Sequence, residues 1–309
     1  MAVGRAPAKV ILFGEHAVVY GQPAIAVPVT ELYTEVAVEP GVPRQGVLIH
    51  AHDLGRHFYL SEAPDDDPIR LTIVNAFGRL DVGATPDLSI SIRSTIPIAR
   101  GLGSGAALAT ALVRALAQQF GVFLSSREIS DLAYATETLH HGTPSGIDNT
   151  VIAFGKPVYF VRGQELEVFW VRQPFTLVVA DTGVVSETRQ VVADVRRAWE
   201  ADGPRYDAWF DEIGQIARDA RRAIEQGQVD GLGPLMDRNH ALLQAVGVSC
   251  PSLDRLVQAA RDGGALGAKL CGAGRGGNMV ALVEGRGVDH VSMMLRLAGA
   301  CHVVVTTVR

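Results

Sequence analysis

A glycine-rich segment, Gly101–Ala107 (GLGSGAA), carries the first pattern that could do chemistry. Three glycines in five residues directly before a helix leave several backbone N–H groups unpaired. Together with the helix dipole, these groups favour a bound phosphate. An ordinary tight turn rarely needs three glycines, so we interpret the segment as a phosphate-binding loop. It also fits the GxGxxA pattern of dinucleotide-binding proteins, but it does not follow the first strand of a βαβ unit, and no GK[ST] follows as in a Walker A loop.

A second glycine-rich segment, Gly272–Gly277 (GAGRGG), matches the GxGxxG pattern literally. The residues after it, Asn278–Val283, have a strand pattern rather than a helix pattern, which argues against a Rossmann site. The segment is therefore predicted to connect two strands. Four glycines in six residues exceed what a bulged hairpin needs, which favours close approach of a ligand to the backbone. Arg275 could serve an anionic ligand or point to solvent.

Several charged residues lie near these loops or near predicted turns. Glu137 lies in the last turn of a predicted helix, where the dipole disfavours a carboxylate; this indicates either a compensating metal ion or a plain exposed side chain. Asp148 follows a Pro-Ser-Gly turn and could be a reactive carboxylate, a helix N-cap or part of an Asx-turn. Lys9 begins a predicted buried strand, and Glu15 and His16 lie in the turn beyond it. Each residue alone has a structural explanation, but their coexistence with two glycine-rich loops favours a function.

The elements that must position these residues are predicted from hydrophobic periodicity. Strands are predicted at Lys9–Phe13, Thr34–Val38, Val47–His50, Leu88–Arg93, Val158–Val161, Val168–Val171, Phe175–Ala180, Ala268–Cys271, Met279–Val283 and His302–Thr307. Helices are predicted at Pro68–Leu80, Leu108–Phe120, Ser125 to about His140, Ser186–Ala201, Trp209–Gln226, Val229–Val246, Pro251–Asp262 and Val288–Leu297. Because strands and helices mix without regular βαβ alternation, the chain is predicted to be α+β, with domains at 1–172 and 173–309.

Composition restricts the partners of the chain. Lys and Arg total 28 against 33 Asp and Glu, and aromatic residues make up 6%, which disfavours a nucleic-acid binder. The three cysteines form no ligand or disulfide pattern. No apolar stretch is long enough to span a bilayer and no signal peptide is evident. We expect a cytoplasmic enzyme with a small-molecule substrate, no membrane and no nucleic acid.

Three segments resemble the signature motifs of the GHMP small-molecule kinases, in that family's order and spacing: APAKVILFGEHAVVYGQPAIA (Ala6–Ala26), PIARGLGSGAA (Pro97–Ala107) and KLCGAGRGG (Lys269–Gly277). Three others are similar to the members of this family that phosphorylate mevalonate: ETLHHGTPSGIDN (Glu137–Asn149), VVADTGVVSETRQVV (Val178–Val192) and MDRNHALLQAVGV (Met236–Val248). The resemblance implies an N-terminal domain like domain 2 of ribosomal protein S5 and a ferredoxin-like C-terminal domain.

The resemblance also implies an activity: ATP with Mg²⁺ phosphorylates the primary 5-hydroxyl of mevalonate to 5-phosphomevalonate, a step of isoprenoid biosynthesis. Asp148 would be the catalytic base with Lys9 beside it, and Ser104 and Glu137 would bind the metal. The implied nucleotide-binding residues are Pro97, Arg100, Gly101, Leu102, Gly103, Ser104, Gly105 and Ala106. The implied acceptor-binding residues are Lys9, Glu15, His16, Asp148, Thr188 and Gly274. A homodimer is a family-level expectation.

Three positions depart from the family motifs. Gly105 stands where the phosphate loop commonly has a second serine, and Cys271 and Arg275 replace a threonine and a glycine of the third motif. Other readings therefore stay open. A related kinase could act on phosphomevalonate, homoserine or a sugar, with Arg100 or Arg275 binding a phosphorylated acceptor. A regulatory member would lack the base or the metal carboxylate. A nicotinamide-dependent oxidoreductase would need a βαβ context, which the sequence does not provide.

Overall fold

The computed structural model describes residues 1–97, 100–141 and 145–309, and of residues 139–141 the backbone alone. Its strands are β1 (Ala2–Phe13), β2 (Ala24–Pro40), β3 (Val47–Ala51), β4 (Arg56–Tyr59), β5 (Leu88–Ser94), β6 (Val158–Phe160), β7 (Glu167–Val168), β8 (Phe175–Asp181), β9 (Gly267–Cys271), β10 (Asn278–Val283) and β11 (His302–Val308). Its α-helices are α1 (Pro68–Arg79), α2 (Ser104–Gln119), α3 (Ser126–His141), α4 (Ile147–Phe154), α5 (Thr188–Ala201), α6 (Gly203–Gln226), α7 (Leu232–Val246), α8 (Pro251–Asp262) and α9 (Gly287–Leu297).

The chain divides into two compact units that are not continuous in sequence. The first contains residues 1–9, 32–98 and 102–155, and the second contains residues 10–31, 99–101 and 156–309. Strands β1 and β2 have residues in both units. The domain boundary at 172/173 stays a prediction.

The first unit combines a sheet with helices α1 to α4. Its strands follow the order β4-β3-β5-β2, in which β3 and β5 are parallel and the other two neighbouring pairs are antiparallel. Helix α2 contacts α1, α3 and α4. The other three helices of the first unit therefore surround α2, which carries the glycine-rich loop at its N-terminus.

The start of β1 was missed by the sequence prediction, which placed this strand at Lys9–Phe13. Residues 2–8 continue it, with Ala2, Gly4, Ala6 and Ala8 buried in alternation. A Cβ at Gly4 would lie 2.1 Å from the backbone oxygen of Ala111 in α2, so the strand runs very close to that helix. Small residues allow this approach but have low strand propensity, and the pattern therefore did not predict a strand.

Helix α2 begins at Ser104, four residues before the predicted start at Leu108. Gly103 is its N-cap, with a left-handed backbone (φ 77°).

The capping box predicted at the start of α3 is confirmed: the Ser125 backbone N–H donates to Glu128 (2.8 Å), and the Glu128 N–H donates to the Ser125 hydroxyl (3.3 Å). The helix that carries Glu137 therefore has a well-defined start.

The second unit contains a four-stranded antiparallel sheet in the order β11-β8-β10-β9. Along the chain, β8 is followed by α5 to α8, then by β9 and β10, then by α9 and β11. This is the split βαβ arrangement of ferredoxin-like domains, as the family resemblance implies. Buried apolar residues of the strands and helices form its core, among them Val178, Ala180, Leu253, Leu256, Leu270, Met279 and Leu295.

Of the other predicted elements, α8 has the predicted ends and the rest are present with shifted ends. Helix α6 begins at Gly203 rather than at Trp209, and the predicted helix from Val229 is a 3₁₀ turn (Val229–Gly231) followed by α7. Strand β4 and helix α4 were not predicted. Among the described residues no helix is both long and apolar enough to cross a membrane.

Candidate active site

The first unit brings together Lys9 and Asp148, the two residues implied as catalytic. The Lys9 ammonium (Nζ) lies 3.0 Å from Oδ1 of Asp148, and the side chains are 7% and 33% exposed. The lysine backbone N–H donates to the Leu102 carbonyl at 3.0 Å, which ties β1 to the glycine-rich loop. One residue therefore contacts both the acidic group and the loop.

Asp148 lies in the first turn of α4, and the N-cap of that helix is Gly146 (φ 81°), not Asp148. The N-cap interpretation of Asp148 is therefore wrong. A carboxylate in the first turn is stabilised by the helix dipole. The neighbouring Asn149, which sequence reasoning missed, is buried and donates from Nδ2 to the Ser130 carbonyl (3.1 Å) and hydroxyl (2.9 Å). These bonds fix α4 on α3 and hold Asp148 in place.

Position 103 has no room for a side chain. A Cβ at this left-handed position would lie 2.9 Å from Cδ1 of Ile152 and 3.1 Å from Cγ of Lys9. The first N–H groups of α2, at Ser104, Gly105 and Ala106, follow directly, and the first N–H groups of a helix have no partner within it. The loop therefore combines close backbone approach with the donors and the dipole that suit a phosphate.

Glu137 of α3 lies beside the start of α2, because a Cβ at Gly105 would be only 3.2 Å from its Oε1. The dipole of α3 disfavours a carboxylate near the end of that helix, as the sequence indicated. The positive N-terminal end of α2 offsets this effect for Glu137. The carboxylate and the Ser104 hydroxyl supply the hard oxygen donors that Mg²⁺ takes. Among the described residues, no group of three or more His, Cys, Asp or Glu is arranged to hold a metal. A Mg²⁺ ion here would therefore share its coordination with phosphate oxygens and water.

A largely apolar hollow lies beside the same helix start, and sequence reasoning did not identify it. Its lining residues are Thr34, Ala51, Asp53, Leu54, Ile92, Ser94, Ser104, Gly105 and Leu108. The Asp53 carboxylate accepts the Ser94 backbone N–H, and the hydroxyls of Thr34 and Ser94 are 2.9 Å apart. Its apolar walls and few polar groups fit a planar base.

In the second unit, Glu15 forms an ion pair with Lys269, and both side chains are at most 1% exposed. The lysine also donates to the Leu270 carbonyl at 2.7 Å. Burial raises the pKa of Glu15, and the adjacent ammonium opposes that shift. The second carboxylate oxygen, Oε2, has no hydrogen-bond partner among the described residues. The role of Glu15 in acceptor binding stays a prediction.

His16 has a positive φ of 60°, and its Nε2 lies 2.8 Å from the Ala273 carbonyl in the second glycine-rich segment. The carbonyl can only accept, so this nitrogen carries the proton. Burial lowers the pKa of His16, which keeps the ring neutral. The turn after β1 is thus fastened to the β9–β10 connection.

That connection lines a hollow in the second unit that collects four of the predicted ligand residues: Arg100, Gly101, Thr188 and Gly274. Its other lining residues are Ser186, Cys271, Gly272, Ala273, Gly276 and Gly277. The Arg100 guanidinium Nε lies 3.6 Å from Oδ2 of Asp181, and the Arg100 carbonyl accepts from Asn278 at 2.7 Å. Glycine backbone, a hydroxyl and a cation together suit a small anionic ligand.

Arg275 and Cys271, which depart from the family motif, are engaged within the second unit. Arg275 adopts φ 55°, its N–H donates to the Val248 carbonyl at 2.7 Å, and its guanidinium pairs with Asp194, lowering the pKa of that carboxyl. The Cys271 thiol donates to the Ile11 carbonyl at 3.1 Å. Both side chains therefore have structural partners.

The predicted site residues are distributed over the two units. The first holds Lys9, Pro97, Leu102, Gly103, Ser104, Gly105, Ala106, Glu137 and Asp148, and the second holds Glu15, His16, Arg100, Gly101, Thr188 and Gly274. Ile98 and Ala99 of the phosphate motif lie outside the described residues, as do Gly142, Thr143 and Pro144 of the predicted turn before Asp148.

Comparison with known proteins agrees with this architecture. Residues 71–156 match the family model for the GHMP kinases N-terminal domain, and residues 220–292 match the GHMP kinases C-terminal model. The mevalonate kinase of Pyrococcus horikoshii is 37% identical, with 96% of this chain and 92% of that protein aligned. The mevalonate kinase of Aeropyrum pernix is 34% identical, over 92% of this chain and 89% of the relative.

Solved structures give the same result. The crystal structure of L. major mevalonate kinase in complex with R-mevalonate matches with a TM-score of 0.87 and 30% identity, over 100% of this chain and 96% of that chain. That of Methanococcus jannaschii mevalonate kinase also has a TM-score of 0.87, with 26% identity over 99% and 98% of the two chains. The predicted α+β, two-domain fold is confirmed, and the chain belongs to the GHMP kinase family, with mevalonate kinases among its relatives.

Proposed function

We propose that this protein transfers the γ-phosphoryl group of ATP to the primary 5-hydroxyl of mevalonate, giving 5-phosphomevalonate and ADP. The relatives named mevalonate kinase support this substrate. The observation that carries the proposal is the Lys9–Asp148 pair, since the same lysine is bonded through its backbone to the glycine-rich loop.

Asp148 acts as the general base. A primary alcohol is a weak nucleophile, so a positioned carboxylate takes its proton as the oxygen attacks the γ-phosphorus. The new P–O bond forms while the bond from the γ-phosphorus to the bridging oxygen breaks, and ADP leaves. The ammonium group of Lys9 stabilises the negative charge on the attacking oxygen and holds the carboxylate in one orientation.

The nucleotide is bound by the first unit. The N–H groups at the start of α2 bind the phosphates, and the apolar hollow beside Ser104 binds the adenine ring. Glu137 and Ser104 would hold Mg²⁺, which when bound neutralises charge on the β- and γ-phosphate oxygens.

The acceptor's carboxylate needs a cation or N–H donors. In the second unit, the hollow that contains Arg100, Thr188 and Gly274 supplies both kinds of group. We propose that these residues contribute to acceptor binding, and that the neutral ring of His16 contributes by holding the Ala273 carbonyl and thus the glycine-rich segment.

The proposed function is tested by Mg-ATP-dependent ADP release with mevalonate, phosphomevalonate, homoserine and galactose as acceptors. The proposal expects release with mevalonate and identifies 5-phosphomevalonate as the product. Preference for another acceptor would refute the substrate but keep the phosphotransferase. ADP release with none of the four, in protein that still binds ATP, would contradict the proposal.

The metal assignment has its own test. Glu137→Gln should raise the Mg²⁺ concentration that half-saturates ATP binding, by about tenfold, because one anionic ligand is lost. Asp131→Asn is the matched control, since Asp131 lies on the same helix and forms an exposed pair with Arg127. An unchanged Mg²⁺ requirement in Glu137→Gln would remove Glu137 from this role.

A further inference from the structure

Two histidines face each other on the sheet of the first unit. His50 of β3 and His57 of β4 are direct partners in the antiparallel register, so their side chains lie on the same face. Their Nδ1 atoms are 2.9 Å apart, and their ring centroids 4.4 Å. His57 is exposed and His50 is half-buried. The pair is therefore accessible from solvent.

We propose that His50 and His57 form a binding site for a divalent transition-metal ion such as Zn²⁺. Two imidazole nitrogens that point at each other are the donor set that Zn²⁺, Ni²⁺ and Cu²⁺ prefer, whereas Mg²⁺ prefers oxygen. Without a metal, one Nδ1 carries a proton and donates it to the other. An ion replaces this shared proton, which moves to the Nε2 of the ring that donated it, so two neutral rings remain.

The geometry needs only a small adjustment. Nitrogen ligands lie about 2.0–2.1 Å from Zn²⁺, and two of them at a tetrahedral angle are about 3.3 Å apart. The rings must therefore separate by about 0.4 Å from their present spacing and turn so that both nitrogen lone pairs point at the ion. The exposed His57 side chain has room for this rotation. Burial and the neighbouring His57 lower the pKa of His50, which favours the neutral form that binds a metal.

His52 marks the limit of the site. Its ring stacks near His50 with centroids 6.4 Å apart, but its Nε2 lies 2.9 Å from the Ser91 hydroxyl. Since no group of three or more His, Cys, Asp or Glu in the described part of the chain is arranged to hold a metal, two imidazoles form the site and water completes the coordination. This makes His52 an internal control rather than a ligand.

The position of the pair gives the site a consequence for the fold. Ala51, next to His50, lines the apolar hollow. The 3₁₀ turn that follows it contributes Asp53 and Leu54 to the same hollow. An ion that bridges β3 and β4 would fix the hairpin on which this wall is built. The metal site does not depend on the proposed kinase reaction.

Zn²⁺ binding to tag-free protein tests the proposal, measured by calorimetry in the Cys301→Ser background so that the exposed thiol does not compete. We expect one Zn²⁺ per chain, affinity at least tenfold lower in His57→Ala and in His50→Gln, and less than a threefold change in His52→Ala. His302→Ala, at an exposed histidine of β11, should bind like the parent.

A second readout follows stability. Because a ligand that binds only the folded state stabilises it, excess Zn²⁺ should raise the Tm of the parent and of His52→Ala but not of His57→Ala. Melting without metal checks that each variant is folded, and the exposed His57 decides the matter if His50→Gln does not fold. Absence of saturable binding by the parent, or full affinity in His57→Ala, would overturn the proposal.

Discussion

The Nζ of Lys9 lies 3.0 Å from Oδ1 of Asp148, and the backbone N–H of the same lysine lies 3.0 Å from the Leu102 carbonyl. The first contact reaches a carboxylate in the first turn of α4, and the second reaches the glycine-rich loop before α2. A single residue of β1 therefore sets the distance between the proposed base and the proposed phosphate site. Changes that move Lys9 should disturb both.

Gly103→Ala is expected to disturb both sites at once. The new Cβ would contact Ile152 and Lys9 at 2.9 and 3.1 Å in a left-handed conformation. We expect destabilisation by about 1–3 kcal/mol and at least a tenfold loss of ATP affinity, measured by chemical denaturation and by nucleotide titration.

Gly121→Ala provides the matched control for Gly103→Ala. Gly121 has a similar φ of 69°, but nothing lies within 4 Å of its hypothetical Cβ. It should lose about 1–2 kcal/mol of stability through backbone strain alone and keep its ATP affinity. Equal ATP affinities in the two variants would contradict a role of Gly103 in the phosphate site.

Lys269→Met should strongly destabilise the second unit. It leaves the Glu15 carboxylate buried without its cation, a change that costs about 3–5 kcal/mol in comparable sites. Adding Glu15→Gln should recover much of this loss, because the buried charge is then removed. The measurement is a double-mutant cycle on denaturant midpoints.

The exposed Arg196–Glu200 pair of α5 is the control for that cycle. Glu200→Gln should leave the midpoint nearly unchanged, because exposed pairs contribute little. Strictly additive effects of Glu15→Gln and Lys269→Met would show that the two buried groups are not coupled in solution.

His240 should make stability depend on pH between about 6.5 and 4. Its Nδ1 accepts the Leu270 N–H at 3.2 Å, so Nε2 carries the proton and lies 3.2 Å from Asp254. Burial lowers the pKa of His240 from 6.5 to about 4. Above pH 6.5 both states are neutral and the folded state keeps its full stability. As pH falls toward 4 only the unfolded state takes up the proton, and about 3 kcal/mol is lost.

The pH dependence is checked by denaturant midpoints of the parent and of His240→Asn. The variant is expected to be less stable at pH 7 but to lose less stability on going from pH 7 to pH 4. The same slope in both proteins would show that His240 is not the group that titrates.

Local patterns predicted much of this fold, and distant pairings limited the rest. Helix α8 has the predicted ends, and the capping box of Ser125 and Glu128 fixes the start of α3 through residues three apart. In contrast, the Glu15–Lys269 pair depends on the packing of β9 against a distant turn, which no local pattern encodes.

The site shows the same limit. Sequence motifs identified Lys9, Asp148 and the glycine-rich loop as candidates. The proximity of Glu137 to Gly105 depends instead on how α3 packs on α2. The apolar hollow combines α2 with residues of β2, β3, β5 and the 3₁₀ turn after β3, and its strand and turn residues carry no motif in their own segments. The hollow forms only because these strands pair with one another, and this pairing cannot be predicted from local patterns in one sequence.

The most direct test of the account is phosphoryl transfer by Asp148→Asn. With Mg-ATP and mevalonate, the rate of 5-phosphomevalonate formation in a single turnover should fall by about 10²–10⁴ relative to the parent, because the proton acceptor is lost. ATP affinity should stay close to that of the parent, since Asp148 does not belong to the loop, and a melting curve checks that the variant is folded, because Lys9 loses its anionic partner. Phosphoryl transfer at a near-parental rate in Asp148→Asn would contradict the assignment of Asp148 as the base.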